Sequence, residues 1–192
     1  MNTLDAITQR RSIRKFKPDP LPEETLQVII NAGIQAPSGK NRQPWRFIIV
    51  KEDQRPAMLS ILREGIAKHK AEGDDTGSSE YSANIMESAP VTVFVFNPDG
   101  LAPWLAHSID QNFTELVDTQ SIGAAIQNML LAAQELGLGS LWICDVFYAY
   151  ETLCSWLDEK GQMIAAVSFG YPAESPAARP RKSYSELVKV KG

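Results

Sequence analysis

The sequence predicts a single domain in which helices pack against a sheet, and three observations carry that prediction. Four short runs rich in β-branched and apolar residues, at 46–50, 91–97, 140–145 and 163–169, alternate with longer helical stretches. Between Ile122 and Leu136 apolar and small residues go nearly all the way round, with Glu135 the single charge, so this helix is buried or forms an interface. At 192 residues the chain can bury roughly 70% of its unfolded surface in one core and is too short for two comfortable domains.

Residues 3–11 read as a short helix capped by Asn2 or Thr3, with Leu4 and Ile7 facing inward. It runs into RRSIRKFKP, where Arg10, Arg11, Arg14, Lys15 and Lys17 crowd together before Pro18 and Pro20 end the segment. Such a stretch is either a solvated basic turn or an anion site. A guanidinium fork and the Ser12 hydroxyl can share the oxygens of one phosphate, and in an acidic chain the concentration of charge favours the second.

LPEETLQVIINAGIQA follows as an amphipathic helix in which Leu26, Ile29, Ile30 and Gly33 share a face, with Glu23 and Glu24 complementing its dipole. In APSGKNRQPW, residues Pro37, Ser38, Gly39, Asn41 and Gln43 form a polar loop before the strand at 46–50. The loop either merely connects, or offers amides and backbone to a flat heterocycle edged with donors and acceptors. Residues 54–72 read as a third helix, GDDTGSSEYS as a polar loop, and Ala83 to Ser88 as a short helix before the central strand VTVFVFN.

The stretch 98–117, with Pro103, Trp104, His107 and Phe113, reads as a lid or helix over a pocket, or as simple packing. The buried helix then begins with Asp118 or Thr119 as cap, runs about five turns, and ends where Gly137 and Gly139 suit left-handed backbone. A strand at 140–145, helical sequence at 149–160 and a strand at 163–169 follow. The tail GYPAESPAARPRKSYSELVKVKG is too rich in proline for a helix until Ser183, so it is extended and needs a surface to lie against. It carries Arg179, Arg181 and Lys182, a second basic cluster that can converge with the first on one phosphate.

Composition removes several classes of function. A net charge of −4 and pI near 5.3 give no general attraction to nucleic acid, and RRSIRKFK lacks the interleaved aromatics of a nucleic-acid site. No apolar stretch reaches the ~20 residues that span a bilayer, and the N-terminus lacks the apolar core of a signal peptide, which sets the expectation of a cytoplasmic protein. Cys144 and Cys154 stand in no redox or metal spacing, and His69 and His107 in no zinc motif, so no metal site is expected. The chain has no nucleophile elbow, no phosphate loop of the GxxxxGK[ST] type and no GxGxxG after a strand. If it is an enzyme, a bound cofactor carries the chemistry.

RRSIRKF, APSGKNRQPWRF, the buried helix with AAQELGLGSLWIC, and GYPAESPAARPRKS together resemble the nitroreductase family of FMN-dependent oxidoreductases, in order and spacing over nearly the whole chain. The resemblance implies an α+β sandwich: a mostly antiparallel sheet flanked by helices, in an intertwined homodimer with two FMN sites at the subunit interface. Residues 1–192 would form one such domain, with 171–192 extending onto the partner. The all-round apolar helix would then pack at the dimer interface.

By the same resemblance Arg10, Arg11 and Ser12 hold the FMN phosphate, with Arg14 nearer the ribityl chain or the pyrimidine edge, and Arg181 and Lys182 approach from the tail. Pro37, Ser38, Gly39 and Asn41 would reach the isoalloxazine from the other protomer, and Trp142, Ile143, Cys144 and Asp145 would run beside the flavin. The implied reaction is ping-pong hydride transfer from NADH or NADPH through flavin N5 to a nitroaromatic, quinone or other small acceptor. No side chain need act as catalytic base; Arg14 is the candidate to stabilise charge near N1 and O2. Cys144 and Asp145 depart from the small residues common beside the flavin, and Asn84 stands nearest to where many relatives carry a flavin-contacting lysine. An alternative keeps the fold but makes the chain a flavin-binding or flavin-handling protein with little NAD(P)H turnover.

Overall fold

The most apolar run of the chain, VTVFVFN, becomes strand β2 (Val91–Asn97), and all seven of its residues are buried. A strand buried on both faces needs helices on both sides, and the rest of the chain supplies them. The structure, a computed structural model, describes residues 2–192. Around β2 stand β1 (Arg46–Val50), β3 (Gly139–Ile143) and β4 (Gln162–Gly170), every pairing antiparallel, in the order β1-β2-β4-β3. The helices are α1 (Thr3–Gln9), α2 (Glu23–Ile34), α3 (Arg55–Ala71), α4 (Ser79–Ser88), α5 (Ile109–Glu135), α6 (Tyr150–Trp156) and the short α7 (Tyr184–Leu187). This is the α+β sandwich the sequence led us to expect.

Period-two alternation divides β2 between two cores. Val91, Val93 and Val95 pack with Leu26 and Ile29 of α2 and with Ile122, Ile126 and Met129 of α5. Phe94 and Phe96 face the opposite way, into α3, α4 and α6. A bulge between Val95 and Phe96 shifts the register on β4, so that Met163 and Ala166 share a face despite their odd spacing.

Helix α5 starts earlier than its sequence suggests. Ser108 caps it, accepting from the Gln111 N–H at 3.1 Å, and the helix runs 27 residues, about 40 Å. Asp118 is therefore no cap: it lies buried in mid-helix. The stretch 98–117 accordingly divides into a strap over the aromatic rings and the first turns of α5. In the strap Trp104 meets Tyr150 edge-on at 4.7 Å, and His107 Nε2 lies 3.0 Å from the Glu115 carboxylate.

Several smaller expectations change as well. Leu4 and Ile7 of α1 are exposed, and Ala6 is the residue that turns inward. Gly137 has the left-handed φ of +72° that ends α5, whereas Gly139 already belongs to β3. The third strand stops at Ile143, and Asp145 opens a 3-10 turn (Asp145–Ala149) that leads into an α6 shorter than 149–160. Helix α4 begins at Ser79, absorbing part of the polar loop.

Candidate functional site: an arginine cleft built from both ends of the chain

Two apolar anchors position the N-terminal basic segment. Ile13 and Phe16 are buried, and glycines make room for them: a Cβ on Gly139 would lie 2.8 Å from the Ile13 side chain, and one on Gly170 3.0 Å from Phe16. The backbone between them is tied on both sides. Ser12 bridges Ser140 of β3 in parallel register, with the Ile13 N–H donating to the Ser140 carbonyl at 3.0 Å. On the other side Lys17 donates to Tyr171 at 2.8 Å, and Ala173 donates to Lys15 at 2.9 Å. The start of the tail is thus paired to the basic segment, which brings the two cationic clusters together.

Between them lies a cleft of about 500 Å³, lined by Arg10, Arg11, Ser12 and Arg14 from one end of the chain and by Arg179 and Arg181 from the other. Arg11 donates to the Thr8 and Arg10 carbonyls at 2.8 and 2.9 Å, and Arg14 to the Ser12 carbonyl at 3.2 Å. The Arg14 backbone N–H donates to the Glu174 carboxylate. Among the described residues, none of these five guanidinium groups is ion-paired with a carboxylate. Partial burial, and then the nearby charges of Arg181 and Arg11, depress the pKa of Arg10. A bound anion would relieve that repulsion, and guanidinium forks match the oxygens of a phosphate.

Lys182 does not line the cleft; Arg179 does. Pro176, Ala177, Ala178 and Arg179 line it in succession, and Arg181 follows after Pro180. Arg179 stood in the sequence two residues before Arg181, and that spacing was the signal available for it.

The remaining expected site residues lie outside the cleft in the single chain. Pro37, Ser38, Gly39 and Asn41 sit on the middle of α5, where Gly39 packs against Val117 and its N–H reaches the Ser121 Oγ at 3.4 Å. Arg42 holds the buried Asp118 at 2.6 Å. Trp142 is exposed on β3, its ring edge 3.8 Å from where a Cβ on Gly123 would stand, while Ile143 is buried in the core. Cys144 is exposed. The Asp145 carboxylate accepts from the Ser78 and Ser82 hydroxyls, so its side chain is committed to α4. Asn84 is likewise engaged, accepting from Arg63 at 3.1 Å.

An antiparallel sheet between helices, with both chain ends meeting in an arginine-lined cleft, defines an α+β domain equipped to hold a phosphate-bearing ligand. Residues 7–171 match the model of the nitroreductase family, and the chain belongs to that family. A protein of Methanothermobacter thermautotrophicus, provisionally named NADH dehydrogenase/NAD(P)H nitroreductase, is 30% identical over 93% of this chain and 82% of its own length. The 5,6-dimethylbenzimidazole synthase of Rhodospirillum rubrum is 27% identical, over 89% of this chain and 82% of that protein. Among solved structures, an FMN-bound provisional nitroreductase of Desulfovibrio desulfuricans superposes with a TM-score of 0.77 at 29% identity, covering 100% of this chain and 98% of that one. Among the described residues no helix is long and apolar enough to cross a membrane.

Proposed function

We propose that the chain is an FMN-dependent NAD(P)H oxidoreductase that works as a homodimer and reduces a small oxidised acceptor such as a nitroaromatic or quinone. The observation that carries this reading is the meeting of Arg10, Arg11, Arg14, Arg179 and Arg181 in one cleft, in a member of a family with an FMN-bound relative. Five guanidinium groups that have no carboxylate partner among the described residues fit a dianionic phosphate monoester better than an uncharged ligand.

Arg10, Arg11, Ser12 and Arg181 would hold the phosphate, with Arg179 beside them and Lys182 at the rim. FMN, when bound, would supply the two-electron chemistry, linking oxidation of NADH or NADPH to reduction of the acceptor by ping-pong hydride transfer through N5. Arg14 would place a cation against negative charge developing near N1 and O2. The backbone from Trp142 to Asp145 would lie along the ring with its N–H groups turned to N5 and O4. Pro37, Ser38, Gly39 and Asn41 of the partner subunit would close the other side. Exposed apolar residues support a dimer: Ile109, Phe113 and Leu116 on α5, and Tyr184, Leu187 and Val190 in the tail.

The test is the visible spectrum of the purified protein after reconstitution with FMN and anaerobic addition of NADH or NADPH. Flavin bands that bleach, and return when an acceptor is added, are expected. Arg10→Ala should weaken FMN binding roughly 10- to 100-fold, since a charge-assisted hydrogen bond is worth about 1.5–3 kcal/mol. The kinship to a dimethylbenzimidazole synthase favours one second reading, a flavin-handling protein with little turnover. Bound flavin that neither nicotinamide bleaches would decide for it.

A further inference from the structure

We infer that Asp118, Arg42 and Ser121 are positioning residues that hold the loop 37–43 in the conformation from which it meets the flavin. The inference rests on the flavin reading above for what the loop contacts. What it adds is how the loop is held.

Three residues of this loop that are not glycine have left-handed backbone within four positions: Lys40 (φ 53°), Asn41 (φ 55°) and Gln43 (φ 51°). Of these only asparagine adopts that region readily, so the conformation is strained and something must impose it. Apolar burial does not, because no residue from 37 to 43 is buried; the flanking Ala36 and Pro44 are. The restraints are polar and come mostly from α5. Arg42 donates from Nε at 3.1 Å and from Nη2 at 2.6 Å to one oxygen of Asp118, a carboxylate only 3% exposed in mid-helix. Gly39 donates to Ser121 Oγ at 3.4 Å, and the Ser121 hydroxyl donates in turn to the Val117 carbonyl at 2.8 Å. A Cβ at Gly39 would stand 2.6 Å from Val117 Cγ1, so a larger residue there would displace the loop or Val117. Within the loop Gln43 donates to Ser38 Oγ at 3.0 Å.

A loop that only connects α2 to β1 has no need of this. Strain held by an ion pair to a buried carboxylate, with Lys40 and Asn41 left exposed at the tip, is the arrangement of a loop whose outer groups must be presented in one geometry. Helix α5 also carries Gly123 beneath Trp142, so the same helix sets the loop and the β3 edge.

The experiment compares wild type with D118N, R42M and R42K in the full-length protein, reading amide hydrogen exchange, FMN affinity and thermal stability. In D118N and R42M the amides of 39–43 should exchange at least about tenfold faster, those of β2 should keep their protection, and FMN binding should weaken about tenfold. R42K, which keeps the charge but not the fork, should fall between R42M and wild type. The double variant R42M/D118N leaves no uncompensated buried charge and keeps the comparison readable if a single variant unfolds. Unchanged exchange at 39–43 overturns the inference, and so does faster exchange with FMN affinity untouched. Failure of the oxidoreductase reading looks different: wild-type protein holds flavin that neither NADH nor NADPH reduces, while loop exchange still responds to these substitutions.

Discussion

The two cysteines differ in environment, and that difference has chemical consequences. Burial first, and then the Glu159 carboxylate, push the Cys154 thiol from 9.0 up to about 11. Partial burial and then Asp145 also raise the Cys144 thiol, but this side chain is exposed. Thiolate is the reactive species, so at pH 8 both thiols are slow and access decides between them. Iodoacetamide should label Cys144 alone in the native protein, with Cys154 reacting only after unfolding, as peptide mass mapping would show. The sign for stability follows from the same shift. A thiol whose pKa is raised by folding favours the folded state fully below pH 9 and loses that contribution as pH climbs toward 11. Urea melts at pH 8, 9.5 and 11 should show a loss in wild type that is smaller in Cys154→Ala. At this scale the sequence was partly legible. The N-terminal arginines were readable because they lie within five residues, whereas the choice of Arg179 over Lys182 depends on the path of the tail along the cleft, which no local pattern in the sequence marks.

Among the elements, close approaches at glycine set how the helices sit on the sheet, and two of them differ in what stands opposite. A Cβ at Gly33 of α2 would meet the buried Met129 of α5, 2.8 Å from its Cγ and 3.0 Å from its Sδ, with the Ala125 carbonyl at an ordinary 3.4 Å, so the methionine is what must repack. At Gly65 of α3 a Cβ would meet the Tyr148 carbonyl and the Cα of Ala149, backbone of the 3-10 turn after β3, which cannot give without moving that turn. Gly65→Ala should therefore cost about 2–3 kcal/mol in urea denaturation, while Gly33→Ala, offset by better helix propensity, should cost about 1 kcal/mol or less. Equal costs would mean that the turn yields as easily as a methionine. Element boundaries were legible where a contiguous apolar run marks them. The β1 and β2 limits both coincide with their apolar runs, although only β2 lies wholly in the core and β1 is an edge strand in which Val50 alone is buried. The start of α5 was missed because residues 109–117 turn Ile109, Phe113 and Leu116 to solvent in the single chain, so no amphipathic pattern toward its own core announces a helix.

Taken as a whole, the chain leaves apolar surface that its own fold does not cover. Ile109, Phe113 and Leu116, at helical spacing on one face of α5, are 87%, 68% and 56% exposed, and Tyr184 and Val190 in the tail are 73% and 78% exposed. Adjacent large apolar residues left open on a helix face mark an interface, and a second copy is the partner that the proposed dimer supplies. The sequence made the order of elements and the basic clusters readable, but not this surface, because a residue that will be buried only by a partner looks like any other apolar residue. Two substitutions then separate assembly from cofactor binding. Phe113→Glu places a charge where a large apolar side chain would be desolvated, which should cost at least about 3 kcal/mol and weaken association more than about 100-fold. Sedimentation velocity across a concentration series should show wild type at the mass of two chains and this variant at the mass of one. Because the loop 37–43 would come from the partner subunit, the monomer should also lose FMN, although its arginine cleft is intact. Arg10→Ala should do the reverse, losing FMN while remaining a dimer. If the Phe113→Glu monomer keeps FMN at wild-type affinity, one chain suffices to hold the flavin, and the loop belongs to some other task.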